Sequence, residues 1–278
     1  MTDRSHLLIF ALFAVSAVGW AADSAAPTCA SLRKLALPDV TINVAEKVAA
    51  GAFVPPGLKT DEKVPPLYRN TRAFCRVVAT LKPTADSDIK AEFWLPASSW
   101  NGKFRGLGNG GFAGYIAYWG LATAVTQGYA AASTDTGHAA AGNGAHDADW
   151  ALGHPEKLID YGYRAVHLMT ADAKTVVTAF YGSAPKRSYF SSCSNGGRQA
   201  LMEAQRFPDD YDGIIAGAPA NNWVPMLTAG LKLVQTLDRN GYIPAEKIPA
   251  ISKARRSRPA AVSARVGVSR YPEPATAR

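Results

Sequence analysis

The segment SSCSNGG, residues 191–197, constrains the fold of this chain more than any other stretch. The residues before it, KRSYF, alternate aromatic and polar side chains, which is typical of a short strand. The residues after it, GRQALMEAQRF, contain good helix formers and predict a helix. The sequence therefore predicts a strand, a tight turn and a helix in direct succession, with Ser194 at the turn.

A turn of this kind can hold a serine hydroxyl clear of a sheet, where a base and hydrogen-bond donors reach it. The nucleophile elbow GxSxG does so with small residues two positions before and after the serine, because strand and helix backbones nearly touch there. In this chain those positions hold Ser192 and Gly196, so the first departs from glycine. Ser194 is a candidate nucleophile, and an ordinary glycine-rich turn is an equally supported interpretation of this segment alone.

Strand and helix patterns alternate through the middle of the chain. After a loop-rich segment that we expect to reach about Pro83, strands are predicted at IKAEFWLP, KFRGLG, GYAAASTDTGH and DGIIAGAPA, the last of them buried. Residues 161–182 predict a long amphipathic helix. Such alternation predicts an α/β fold with a mainly parallel sheet covered by helices on both faces.

The glycine-rich stretch NGGFAGY, residues 109–115, directly follows a predicted strand. A loop of this kind can direct backbone N–H groups into an open space, which suits an anion or an oxyanion. The dipeptide NG is also typical of a hairpin turn, and the stretch by itself favours a hairpin.

The N-terminus has the pattern of a secretory signal. Arg4 precedes an apolar run from Leu7 to Trp20, with small residues at Gly19 and Ala21. A membrane span needs about 20 apolar residues, so the run is short for an anchor. We expect a signal peptide over residues 1–22, a secreted or periplasmic protein, and no membrane partner.

Three cysteines occur, at Cys29, Cys75 and Cys193. An odd number in an exported protein leaves one without a partner. A bridge between Cys29 and Cys75 would tie down the proline-rich N-terminal part. We therefore expect that disulfide, with Cys193 free beside the candidate nucleophile.

The net charge of +8 comes mainly from residues 254–278, which hold six arginines and one glutamate and so supply +5. The remainder carries about +3, which does not indicate nucleic-acid binding by the body of the protein. We expect the tail to be disordered, because it has few large apolar side chains, and its composition fits translation in the wrong frame. A genuine basic binding tail is the alternative.

Every histidine precedes Ser194, so a triad in the order serine, acid, histidine cannot be completed after it. His138 follows a predicted strand, where hydrogen bonding to backbone is the expected role. Neither HExxH nor CxxC spacing occurs, so the sequence predicts no metal site and no cofactor.

Several stretches resemble the tannase and feruloyl esterase family, which also contains terephthalate-monoester hydrolases. They are WNGKFRGLGNGGFAG, STDTGH, YGYRAVH and CSNGGRQALMEAQRFPDDYDGIIAGAPA, and the likeness runs from about Cys29 to about Ile251. The resemblance implies an α/β-hydrolase core over residues 23–222 and the beginning of an inserted lid over 223–253, followed by the tail at 254–278. It also implies a small aromatic ester, such as a ferulate or gallate ester, as substrate.

The resemblance assigns a role to individual residues. Ser194 takes the place of the nucleophile, and the backbone N–H groups of Asn195 and of Gly110 or Gly111 take that of the oxyanion donors. Cys193 matches an elbow cysteine that in the family bridges to a cysteine beside the catalytic histidine. That cysteine, that histidine, the acidic triad member and the calcium loop of the lid have no counterpart here. We therefore expect this chain to be nearly inactive, and a non-catalytic protein that binds aromatic ligands is the alternative.

Overall fold

The computed structural model describes residues 28–59, 61–140 and 147–256. The predicted signal peptide and residues 257–278 of the predicted tail lie outside the described residues. The chain divides after Pro219 into two compact units. None of the helices in the described ranges has the length and apolar content needed to cross a bilayer.

The first unit is built on one seven-stranded sheet with the order β1-β2-β3-β5-β4-β6-β7. The β1–β2, β2–β3 and β3–β5 pairings are antiparallel, whereas the β5–β4, β4–β6 and β6–β7 pairings are parallel. Five strands therefore run in one direction, and β1 and β3 run in the other. The α/β prediction is confirmed for a mixed, mostly parallel sheet. The strands are β1 (Val40–Val48), β2 (Phe74–Leu81), β3 (Ile89–Pro96), β4 (Lys103–Leu107), β5 (Ala130–Thr134), β6 (Arg187–Cys193) and β7 (Gly213–Gly217).

Helices cover both faces of this sheet. The helices of this unit are α1 (Pro66–Arg69), α2 (Tyr118–Thr126), α3 (Pro155–Ile159), α4 (Ala165–Tyr181) and α5 (Asn195–Arg206), with 3-10 turns at Cys29–Lys34, Asp149–Ala151 and Pro208–Asp210 and a π-helical turn at Asp160–Arg164.

The longest helix, α4, confirms the predicted amphipathic helix. Its buried residues include Val166, Met169, Ala173 and Val176, which recur every three or four positions and form one apolar stripe. Gly182 ends it in the left-handed conformation, with φ of 71°, as is common after the last turn of a helix.

Alternation along the strands sends successive side chains into two separate cores. Phe93 and Phe104 pack in the core that contains α4. Trp94 packs with Phe74 and with Leu121 of α2 in the other. Both faces of the sheet are therefore apolar, as expected for strands that are covered by helices on each side.

Three expectations about the first unit are wrong. The segment before Pro83 contains β1 and β2, which pair with each other and join the sheet to form its antiparallel side. Residues 109–115 do not form a hairpin, because β4 and β5 pair in parallel and are connected through α2. The β7 strand is only partly buried: it is the last strand of the described sheet, and Ile215 is 67% exposed.

The second unit is helical in the residues described. Its elements are α6 (Trp223–Thr236), a π-helical turn at Leu237–Gly241, a 3-10 turn at Ala245–Lys247 and α7 (Ile248–Arg256). The last helix therefore continues three residues beyond position 253, where we expected the disordered tail to begin.

A disulfide joins Cys29 to Cys75, as the sequence predicts, and Cys193 is free and exposed. The bridge links the first 3-10 turn to β2. It closes a loop of 46 residues, so the chain-entropy estimate of its contribution to the free energy of unfolding is about 4 kcal/mol.

Alkylation in urea without reductant should therefore modify only Cys193, since unfolding exposes all three positions and leaves the bridge intact. Replacing Cys29 by Ser should lower the free energy of unfolding by about 4 kcal/mol, whereas Cys193→Ser should leave it nearly unchanged. Peptide mapping and urea titrations measure the two effects. Alkylated Cys29 in the unreduced protein would contradict this assignment.

Candidate active site

The turn between β6 and α5 holds Ser194 in a strained conformation. Its φ is 62° and its ψ is −121°, a region that residues with a Cβ rarely adopt. Its N–H donates to the Gly217 carbonyl oxygen at 3.0 Å, and its side chain is exposed. Ser194 therefore stands at the N-terminus of α5 rather than within the helix, with its hydroxyl accessible to a substrate.

Glycines make this turn possible because strand and helix backbones lie in contact there. A Cβ at Gly196 would lie 1.9 Å from Ser192 Oγ, and a Cβ at Gly197 would lie 2.4 Å from the Gly217 carbonyl oxygen. Both distances are shorter than any real Cβ contact. The small side chain at Ser192 is tolerated only because Gly196 opposite it has none.

Among the described residues the backbone N–H of Asn195 has no hydrogen-bond partner, as expected for the first N–H groups of a helix, and it can receive an anion. The side chain of Asn195 is held away from that space. Its Oδ1 accepts from Tyr161 Oη at 2.9 Å and from Arg198 Nε at 2.8 Å. These bonds fix the first turn of α5.

The glycine loop after β4 is attached to α5 by a reciprocal pair of hydrogen bonds. Gln199 Nε2 donates to Asn109 Oδ1 at 2.9 Å, and the Asn109 backbone N–H donates to Gln199 Oε1 at 3.1 Å. Asn109 Nδ2 also donates to the carbonyl oxygens of Tyr115 and Thr134 at 3.0 and 2.8 Å. The loop, α5 and the end of β5 are thereby fixed to one another.

The two loop glycines differ in the availability of their N–H groups. The Gly110 N–H donates to Tyr115 Oη at 2.6 Å. Within the described part of the chain, the Gly111 N–H has no hydrogen-bond partner. Of the two candidates from the sequence, Gly111 therefore has the donor available to a ligand.

Aromatic side chains surround Tyr161, which bonds to Asn195. Tyr161 Oη also lies 3.4 Å from the Gly111 carbonyl oxygen, and its ring contacts those of Phe112 and Trp150. Both of those side chains are partly exposed. The two backbone donors are therefore bordered by aromatic surface.

The described histidines are each bonded to groups other than Ser194. His138 Nε2 donates to the Phe112 carbonyl oxygen at 2.6 Å, and its ring stacks on Trp150. Burial lowers the pKa of His138 to about 4, so it is neutral at physiological pH. His154 bonds to Asp86 and His167 to Asp210, both at 2.7 Å. His146 lies outside the described residues.

Asp135, which has a buried carboxyl group, lies next to the glycine loop at residues 109–115. It is 8% exposed, and its Oδ1 accepts from the N–H groups of Lys90 and Gly137. Its carbonyl oxygen accepts from the Gly114 N–H. Burial raises the pKa of Asp135 to about 7, against the lowering effect of the two hydrogen bonds.

Sequence reasoning did not find Asn109, Gln199, Tyr161 or Arg198 as site residues. The Tyr161–Asn195 and Asn109–Gln199 contacts join segments 34 and 90 positions apart in the chain, whereas Arg198 contacts Asn195 only three residues away. One signal was present for Gln199: it lies four residues after Asn195 and four before Glu203, which places three polar residues on one face of a helix.

Comparison with known proteins identifies the family of this chain. A family model described as tannase and feruloyl esterase matches residues 75–261. The chain belongs to the tannase and feruloyl esterase family.

Two sequence relatives illustrate the likeness. An uncharacterised esterase of Xanthomonas campestris is 42% identical over 233 residues, which is 83% of this chain and 39% of that protein. A probable feruloyl esterase B of Aspergillus clavatus is 35% identical over 205 residues, which is 72% of this chain and 37% of that protein. The chain thus spans less than half the length of these relatives.

Solved structures give the same result. The crystal structure of feruloyl esterase B from Aspergillus oryzae aligns with a TM-score of 0.65 and 32% identity, over 73% of this chain and 39% of that one. Tannin acyl hydrolase from Aspergillus niger aligns with a TM-score of 0.51 and 26% identity, over 67% and 34%.

Replacing Gly196 by Ala should lower the free energy of unfolding by about 1–3 kcal/mol, because the new methyl group overlaps Ser192. Gly162→Ala is the matched control: it also lies in a helical turn, and a Cβ there meets nothing within 4 Å. Urea titration of both variants measures the difference. Equal stabilities would show that β6 and α5 are not in contact at this point.

The contribution of Asp135 to the stability of the protein should fall as the pH rises from about 4 to about 7. Asp135 ionises near its ordinary pKa of 3.8 when unfolded but near 7 when folded, so the folded state retains a proton through this range. The lost stabilisation amounts to about 4 kcal/mol. In Asp135→Asn the decline should be smaller, whereas the exposed control Asp61→Asn should retain it. Parallel pH profiles for Asp135→Asn and the parent would exclude this titration.

Proposed function

We propose that this protein is a serine hydrolase for carboxylic esters of aromatic acids. The observation that carries the proposal is the exposed Ser194 at positive φ, at the head of a helix whose first N–H groups are free. Membership of the tannase and feruloyl esterase family supports the reaction class.

In the proposed reaction, Ser194 Oγ attacks the ester carbonyl carbon while its proton passes to a base. The carbonyl oxygen becomes an oxyanion that accepts from the N–H groups of Asn195 and Gly111. Collapse of this intermediate breaks the bond to the alcohol oxygen, which takes back the proton from the base and leaves as the neutral alcohol. The remaining acyl-serine is then hydrolysed by water. These steps use protein groups and water, without a cofactor.

The described residues do not place a histidine base beside Ser194. The three described histidines are bonded to other groups, so we propose that water accepts the Ser194 proton. Loss of the base and its orienting acid costs about 10⁴ to 10⁶ in rate. We therefore propose that the chain turns over esters barely above background.

An aromatic acid as the substrate's acyl part fits the surroundings of the donors. Phe112 and Trp150 are partly exposed and border the loop that carries Gly111, and an aromatic ring can stack on such surfaces. The relative named probable feruloyl esterase B has the acyl group of an aromatic acid in its name.

Secretion or export to a periplasm accompanies this function in our proposal. The Cys29–Cys75 disulfide supports it, because such bridges persist in oxidising compartments.

Hydrolysis of methyl ferulate tests the function and the missing base together. The parent chain should show a small rate, and added imidazole should raise it by accepting the Ser194 proton. Ser194→Ala should abolish both the small rate and the increase beyond the imidazole-only blank, whereas the exposed control Ser183→Ala should behave as the parent. The rates are measured by chromatography of the ferulic acid released. Imidazole-dependent turnover that persists in Ser194→Ala would refute the nucleophile assignment.

A further inference from the structure

A buried carboxyl group lies near the end of α5, away from Ser194 at its beginning. Glu203 is 0% exposed. Within the described part of the chain, neither of its carboxyl oxygens has a hydrogen-bond partner. Burying such a group without a partner is costly, so native structures almost always supply one.

Two further ligating side chains meet Glu203. One donor atom from each of His167, Glu203 and Asp210 lies within 4.8 Å of the others. The three residues come from α4, α5 and the 3-10 turn Pro208–Asp210. Their meeting is therefore a product of the tertiary fold, and we call it the His–Glu–Asp cluster.

Two carboxyl groups and one ammonium group lie close together at the cluster. Lys174 Nζ lies 3.9 Å from Asp210 Oδ1, and it is the one lysine or arginine that forms an ion pair with the cluster in the described residues. This ammonium group pairs with Asp210 and not with Glu203 within the described residues. His167 Nδ1 already lies 2.7 Å from Asp210 Oδ2, and its ring is held by stacking on Phe207 at 3.8 Å.

We propose that the His–Glu–Asp cluster binds one divalent cation of the zinc class, with His167 Nδ1 and one carboxylate oxygen each from Glu203 and Asp210 as ligands. The mixed nitrogen and oxygen donors favour zinc, which takes four ligands. Calcium and magnesium prefer six or more oxygen ligands, which three side chains do not supply.

Small side-chain rotations bring the three donors to bonding distance. Zinc bonds of about 2.0–2.1 Å place tetrahedral ligands roughly 3.4 Å apart. The 2.7 Å pair of His167 and Asp210 must open and the longest separation must shorten. The side chains of His167 and Asp210 are 33% and 14% exposed, so an ion and a fourth, water ligand can enter from their side.

The bound ion would join α4, α5 and the turn after α5. It replaces the hydrogen bond between His167 and Asp210, and it gives Glu203 a partner that the described residues do not provide. The site is structural and separate from ester hydrolysis. The sequence shows no metal motif because the ligands are 36 and 7 residues apart on three different elements.

The test is a zinc titration of the metal-stripped chain, followed by calorimetry and by elemental analysis after gel filtration. Cys193→Ser is included in every protein, so that the exposed thiol does not bind zinc. The parent should bind one equivalent and melt at a higher temperature. Glu203→Gln preserves the size and hydrogen-bonding shape of the side chain, and it should weaken binding at least about tenfold.

Two controls separate this site from general surface binding. Asp209→Asn removes an exposed carboxylate next to the cluster, and His154→Gln removes a second histidine that is paired with an aspartate. Both should bind zinc as the parent does. If circular dichroism shows that Glu203→Gln is unfolded, the partly exposed ligand variant His167→Gln decides instead.

The proposal is overturned if the parent binds no zinc, or if the folded ligand variant binds it with unchanged affinity. Equal binding of calcium and zinc by the parent would overturn the assignment to the zinc class. None of these measurements depends on esterase activity, so a failure here is distinct from a failure of the proposed function.

Discussion

The site depends on one contact, the approach of the β6 backbone to that of α5 around Ser194. A Cβ at Gly196 would overlap Ser192 of β6, and a Cβ at Gly197 would overlap Gly217 of β7. Because both positions are glycine, the helix can begin immediately after the strand. This short connection forces Ser194 to positive φ, and the same strain lifts its side chain out of the sheet. The free N–H groups at the start of α5 consequently lie next to the serine hydroxyl.

The parallel part of the sheet collects the other components at the same edge. The strands β4, β5 and β6 run in one direction, so the loops that follow them emerge together. Asn109 connects all three: it follows β4, donates to the end of β5 at Thr134, and pairs with Gln199 of α5. These buried side-chain hydrogen bonds position the Gly111 N–H beyond the end of β4, where the backbone pairing of the sheet no longer holds the chain.

The pattern of apolar and polar residues was enough to predict the strands and helices that have a clear periodicity. The alternation in IKAEFWLP gave β3 at Ile89–Pro96, and the apolar stripe gave α4. The pattern did not predict β1 and β2, because the flanking prolines indicated loops. These two strands form through pairing with each other. At the site, Ser194 and Gly196 could be predicted from steric needs, but Gln199 and Tyr161 could not, since their partners are remote in sequence.

The buried polar face of α5 connects the two ends of this helix. Asn195, Gln199 and Glu203 recur every four residues and are 0%, 2% and 0% exposed. Asn195 accepts from Tyr161 and Arg198, and Gln199 pairs with Asn109 of the loop after β4, so both have partners within the protein. Glu203 has carboxyl oxygens without a hydrogen-bond partner in the described part of the chain, and it lies near His167 and Asp210. A cation at that position would complete the same stripe and anchor the far end of the helix that holds Ser194 in its strained turn.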